Sequence, residues 1–113
     1  MQKQINIQNK KAKFEYIFIQ KYTAGIVLAG SEIKSIRNGE ASISNSFCEF
    51  SEKQELFIIN MQIQKYSASS IFNHNPKASR KLLLKKNELK KLSKEVKSRG
   101  LTIIPIKLYI NEK

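Results

Sequence analysis

Hydrophobic and polar positions alternate with period two over several stretches of this chain and with a helical period over one. From Phe14 to Lys21 the run Phe-Glu-Tyr-Ile-Phe-Ile-Gln-Lys is aromatic and β-branched, which predicts a strand buried on much of both faces. Tyr22 to Gly30 fits either a short helical turn or a strand, with Gly30 marking a bend. Ser31 to Arg37 and Ala41 to Phe50 predict two strands joined at Asn38-Gly39, a dipeptide that takes positive φ at little cost. In Leu56 to Tyr66, Phe57, Ile59, Met61 and Ile63 alternate with Ile58, Asn60, Gln62 and Gln64, so the first set is expected to face a core and the second mostly water. Ser67 to Ser79, rich in Ser and Asn and holding Pro76, is the longest expected loop.

Between Asn87 and Arg99 the period becomes helical, with Leu89, Leu92 and Val96 on one stripe and Lys90, Lys94 and Lys97 on a neighbouring one. Gly100 is the expected left-handed cap. Leu101 to Ile110 alternates again, Ile104, Ile106, Leu108 and Ile110 against Ile103, Pro105, Lys107 and Tyr109; Pro105 lacks an amide donor and suits an edge or bulge. About five short strands with a helix between the fourth and fifth is the order of a Greek-key OB barrel, a mainly β fold whose helix plugs one end. An α+β sheet covered by one helix gives a similar string. Residues 1–12 are polar and basic and predict a flexible arm that orders on a partner. Residues 13–113 then form one OB-fold-like domain, since 113 residues are too few for two cores.

Composition narrows the function. Lys and Arg total 21 against 9 acidic residues, a formal charge of +12 that repels itself unless a polyanion neutralises it. Nucleic acid is the commonest such partner, because each cation placed on a phosphate releases a condensed counterion. A lysine-solvated surface in a chain rich in Lys, Ile, Asn and Ser explains the total but not the clustering. Lys10, Lys11 and Lys13 precede the first predicted strand, Lys34 and Arg37 flank the first turn, and Arg80-Lys81 with Lys85-Lys86 leads into the basic helix. The helix itself reads two ways: a solvated face knitted by Glu88–Lys91 and Lys91–Glu95 pairs, or a track for a phosphate backbone. Phe14, Tyr16, Tyr22 and Tyr66 either stack on unpaired bases or fill the barrel.

Catalysis finds little support, because acid–base work needs His or paired carboxylates and the chain has one His and no Asp. His74 is expected at the surface of its loop, and Gly25, Gly30 and Gly39 lack the spacing of a phosphate-cradling loop. Cys48, alone, excludes an intrachain disulfide or cysteine zinc site and is expected in the core. No cofactor is expected. No apolar run approaches the roughly 18 to 20 residues that span a bilayer, and the polar start does not resemble a signal peptide, so a cytoplasmic, membrane-free protein is expected.

Several runs together are specific. Asn9-Lys10-Lys11-Ala12, Phe14-Glu15-Tyr16, Ala24-Gly25-Ile26, Gly30-Ser31-Glu32-Ile33-Lys34-Ser35-Ile36-Arg37, Arg80-Lys81-Leu82-Leu83-Leu84 and the GxTxxPxxLY pattern from Gly100 to Tyr109 resemble the successive signatures of the SsrA-binding protein (SmpB) family. The resemblance covers roughly residues 9 to 110. It implies an RNA-binding OB barrel that holds the tRNA-like domain of tmRNA near its D-loop elbow and accompanies it to a stalled ribosome in trans-translation, as a monomer. It also implies that Asn9, Lys10, Lys11, Glu32, Lys34, Ser35, Arg37, Arg80, Lys81 and Leu83 lie on or beside the RNA surface. The cations would neutralise phosphates, Asn9 would bond a base or ribose, and Leu83 would pack on an unstacked base. Glu32 fits either a base amino group or a buried salt bridge.

Two departures qualify the transfer. Thr23 precedes Ala24-Gly25 where many members carry an acidic residue implicated in RNA binding, so that contact is expected to be altered or absent. Family members also continue beyond the match to Lys113 with a further strand and a Lys/Arg-rich tail that enters the decoding centre. Without them the edge beside Leu101 to Ile110 is expected to lack a partner, and the 113 residues are expected to bind tmRNA without supporting tagging. The alternatives are a generic OB-type binder of single-stranded RNA and a protein–protein adaptor whose basic helix meets an acidic partner.

Overall fold

The computed structural model of the chain describes residues 6–15, 18, 20–66 and 73–110. Its strands are short and pair antiparallel throughout. β1 (Asn6–Gln8) pairs with β8 (Lys107–Tyr109), and β3 (Ala41–Ser42) pairs with β6 (Gln62–Ile63). Between them β2 (Gly25–Ile26), β7 (Arg80–Leu83), β5 (Leu56–Ile59) and β4 (Phe47–Phe50) form a sheet in that order. Helices α1 (Lys10–Glu15), α2 (Gly30–Arg37) and α3 (Lys86–Arg99) follow β1, β2 and β7. The protein is therefore built mainly of antiparallel sheet. Its described strands lie in three sheets and do not close one barrel of five, and the long helix falls between β7 and β8.

The core forms where strand alternation and helix faces meet. On β4, β5 and β7 the side chains of Cys48, Leu56, Ile58 and Leu82 point inward, and with Ile36, Ile43, Met61 and Ile63 they make one apolar cluster. Cys48 lies there as expected, and burial pushes its thiol up from 9.0 to about 12. Met61 and Ile63 are buried as the alternation predicts, but upstream Leu56 and Ile58 are buried where Phe57 and Ile59 were expected. Asn60 lies between the two halves at φ 64. A left-handed residue inserted in a strand acts as a bulge and exchanges the faces beyond it, which hydropathy alone does not register.

Gly30–Arg37 is a helix, not the strand expected over Ser31–Arg37. Its buried residues are Glu32, Ser35 and Ile36, an i, i+3, i+4 set on one helical face. Two of the three are polar, so the face is concealed from any hydropathy pattern. Glu32 Oε1 accepts the Ala29 amide at 2.8 Å and satisfies one donor that the helix start leaves unpaired. Asn38-Gly39 accordingly closes this helix, with Gly39 at φ 74, and is not a hairpin turn.

Other expectations also shift. Phe14 and Glu15 end α1 instead of opening a strand; residues 16, 17 and 19 lie outside the described residues, and 18, 20 and 21 belong to no strand. Ala41 to Phe50 is divided by a turn at Ser44-Asn45, where the Ser46 hydroxyl donates to the Ile43 carbonyl at 2.6 Å. Residues 6–12, expected within a flexible arm, join the fold through β1, and Asn9 and Ala12 are buried. That pairing covers one edge of β8; in this two-stranded sheet its other edge has no strand partner among the described residues. α3 matches its prediction closely, and Gly100 caps it at φ 62, ψ 35. No helix of the described residues is long and apolar enough to cross a membrane.

Candidate nucleic-acid interface

Glu32 and Arg80 are 48 residues apart in sequence and form a buried ion pair through Oε2 and Nε. The rest of the guanidinium is committed as well: Nη1 donates to the Met61 carbonyl at 2.8 Å, and Nη2 to those of Asn75 and Pro76 at 3.2 Å each. With only 4% of Arg80 exposed, its donors are spent on fixing α2 and the 73–79 segment to the start of β7. Ser35 is fully buried beneath α2, and its hydroxyl has no hydrogen-bond partner. Three residues expected at the RNA surface, Glu32, Ser35 and Arg80, therefore lie inside the protein.

What they hold outward is basic. Lys34 and Arg37 are exposed on α2, and the Lys34 ammonium stands 5.6 Å from the centre of the Tyr66 ring. On β7, strand alternation that turns Arg80 and Leu82 inward turns Lys81 and Leu83 outward. Leu83 is 51% exposed, as is Val27 one strand away, and Gly25 opposite Leu83 leaves room between them. Lys81 Nζ donates to Glu55 Oε2 at 2.5 Å. That hydrogen bond first, and the Lys81 charge second, hold the Glu55 carboxyl below its ordinary value.

The first basic cluster is anchored elsewhere. Asn9 Nδ2 donates to the carbonyls of Ile43 and Pro105 at 3.2 and 3.0 Å, and its Oδ1 accepts the Ala12 amide at 3.2 Å as the cap of α1. Its amide is thus used within the fold, at 2% exposure. Lys10 and Lys11 are exposed on the helix that Asn9 caps, and Lys11 borders a shallow cavity of about 310 Å³ with Ser44, Asn45, Phe47 and Thr102. Asn9 is bonded to Ile43 and the 105–106 backbone, and α2 is bonded to Arg80, so the two clusters are placed by different parts of the core.

Several contributors were not legible in advance. His74, expected at the surface, is half-buried; its Nε2 pairs with the Ile63 carbonyl and its Nδ1 with Ser31 Oγ, both at 2.9 Å. A carbonyl only accepts, so Nε2 donates to Ile63, and Ser31 Oγ, which can donate or accept, pairs with Nδ1. Asn73 clasps both backbone groups of Tyr66, with bonds of 3.1 and 3.0 Å, and so fixes the residue whose ring lies under the Lys34 ammonium. The Lys81–Glu55 contact went unseen because Arg80–Leu83 was not read as a strand. Phe14 and Tyr16, proposed for base stacking, lie where no side chain is described; Tyr22 buries its hydroxyl without a partner. Among the described residues no cluster of His, Cys, Asp or Glu could hold a metal ion.

The chain is similar to known proteins over its whole described length. A family model described as SmpB protein matches residues 6–113. The chain is 59% identical to the SsrA-binding protein of Christiangramia forsetii, over 100% of this chain and 71% of the relative. It is 58% identical to that of Flavobacterium psychrophilum, covering 75% of the relative, and 44% identical to that of Ehrlichia canis, covering 72%. A solved chain from a structure described as "tmRNA-SmpB: a journey to the center of the bacterial ribosome" superposes with a TM-score of 0.76 at 41% identity, over 96% of this chain and 75% of that one. With the whole described fold inside the match, this chain belongs to the SmpB protein family.

Proposed function

We propose that this protein binds the tRNA-like domain of tmRNA and works with it on stalled ribosomes in trans-translation, in the cytoplasm and without catalysing a reaction of its own. The observation that carries the reading is the likeness to the solved tmRNA-bound relative at 41% identity over 96% of the chain. The framework is OB-like: the Cys48–Ile103 bridge links the four-stranded sheet to the segment that continues into β8, and β1 extends that run. Lys10, Lys11, Lys34, Arg37, Lys81 and Leu83 make the contacts, the cations on phosphates and Leu83 on an unstacked base. Asn9, Glu32, Ser35 and Arg80 act one step back, by holding α1, α2 and β7 in place.

A gel-shift competition at near-physiological salt tests this. The tRNA-like domain is expected to outcompete its D-loop mutant and an unstructured RNA by about tenfold or more. Equal competition by all three would instead identify a generic single-strand binder, and absence of any RNA complex would favour an adaptor for an acidic protein.

A further inference from the structure

The outward side of α3 carries Lys86, Lys90, Lys94 and Lys97, all exposed. At about 100° per residue these four fall within roughly 80° around the helix axis and run about 16 Å along it. The two carboxylates of the helix, Glu88 and Glu95, are half-buried and lie at least about 100° away around the axis. Glu88 Oε1 is engaged by the Lys85 amide at 3.1 Å. Among the described residues neither a lysine of this row nor Lys91 has an ion-pair partner, so the Glu88–Lys91 and Lys91–Glu95 pairs that the sequence allowed are not formed. Like charges at i, i+4 repel, and a row of them gains most from a ligand that is itself a row of opposite charges.

The position of the row is fixed. Leu92 is buried, Leu89 packs on the core, and Ser93 Oγ donates to Gln54 Oε1 at 2.7 Å in the β4–β5 turn, so α3 has one orientation. β2 runs toward the Arg80 end of β7 and passes into α2 there, whereas α3 starts beyond the Leu83 end. The lysines of α3 and the two cations of α2, Lys34 and Arg37, therefore belong to opposite ends of one strand.

We propose that the α3 lysine row is a second docking surface, separate from α2 and β7, which takes the phosphate backbone of an RNA duplex while the first surface holds the tRNA-like domain. This rests on the RNA-binding reading above but adds a site to it. The test uses the full chain, a labelled mixed-sequence RNA duplex as probe, and the tRNA-like domain as the second ligand. Combining Lys86→Gln, Lys90→Gln, Lys94→Gln and Lys97→Gln is expected to weaken duplex binding at least tenfold and to reduce the slope of log affinity against log salt by about 3 to 4, with binding of the tRNA-like domain changed less than twofold. Lys34→Gln with Arg37→Gln is expected to do the reverse, and saturating tRNA-like domain should leave the duplex bound to the native chain.

Unchanged duplex binding, displacement of duplex by the tRNA-like domain, or equal losses for both RNAs would overturn the proposal. Displacement of the duplex by polyglutamate at equal charge would overturn it in favour of an acidic protein partner. Replacing the same four lysines with Arg controls for folding: it should keep duplex binding, and loss of binding by that folded variant would also count against the row. If the native chain bound duplex through α3 yet ignored the tRNA-like elbow, the function proposed above would fail and this surface would stand.

Discussion

Arg80 has the side chain expected of a phosphate ligand but the surroundings of a structural clamp. Removing one partner of a buried ion pair strands the other, so Glu32→Gln or Arg80→Met is expected to cost about 3 kcal/mol in urea unfolding. The salt slope of RNA binding by the folded fraction should stay unchanged, because no cation is lost from the surface. Ser35 gives the opposite sign. Its buried hydroxyl has no partner, so Ser35→Ala should stabilise the fold by up to about 1 kcal/mol and leave RNA affinity within twofold, where a direct contact would lose more. At Cys48 burial raises the thiol to about 12. A folded pKa above the unfolded one supplies stability that is complete below 9.0 and is lost as pH rises toward 12. Alkylation at pH 8 should accordingly be slow in the folded protein and rapid in denaturant; fast labelling under native conditions would contradict this burial.

At the scale of elements, the informative case is the β5–β6 region. A single residue, Asn60, reverses which side chains of Leu56 to Ile63 point inward, and it does so at φ 64 with its side chain bonded to the Asn45 carbonyl at 3.2 Å. Asn tolerates this conformation and β-branched residues do not. Asn60→Val should therefore cost more than about 1 kcal/mol and Asn60→Gly less, read from the midpoints of denaturant unfolding. α2 follows similar logic. Its inward face is polar, so period-two and apolar-stripe rules both miss it, and only the partners of Glu32 reveal why a carboxylate is buried there. α3 is the contrast: an apolar stripe, a lysine stripe and a glycine stop all lie within one continuous segment, and each was legible from it.

For the whole molecule the governing quantity is the charge of +12 and where the fold lets it lie. Arg80 and Lys81 are held in ion pairs. Arg80 is locked inside, but the Lys81–Glu55 pair is exposed and so contributes little to stability. Its consequence is competition, since Glu55 occupies an ammonium that a phosphate could take. Glu55→Gln should raise RNA affinity by about threefold and steepen its salt dependence, with little change in melting temperature. A drop in affinity would mean that the pair orients Lys81 for its ligand.

Composition and local pattern alone settled the excess of cations, the helix from Lys86 to Arg99 with its Gly100 stop, the core place of Cys48, and the motif runs that carry the family resemblance. Each depends on residues adjacent in the chain or on a simple sum over it. Only the tertiary structure decided which polar residues face inward. Burial of Asn9, Glu32, Ser35 and Arg80 follows from neighbours brought together across the fold, Pro105 for Asn9 and residues 48 apart for the ion pair. Whether a charged side chain meets a phosphate or a carboxylate within its own core is a property of that assembly, because the cost of burying the charge is met only when the distant partner arrives.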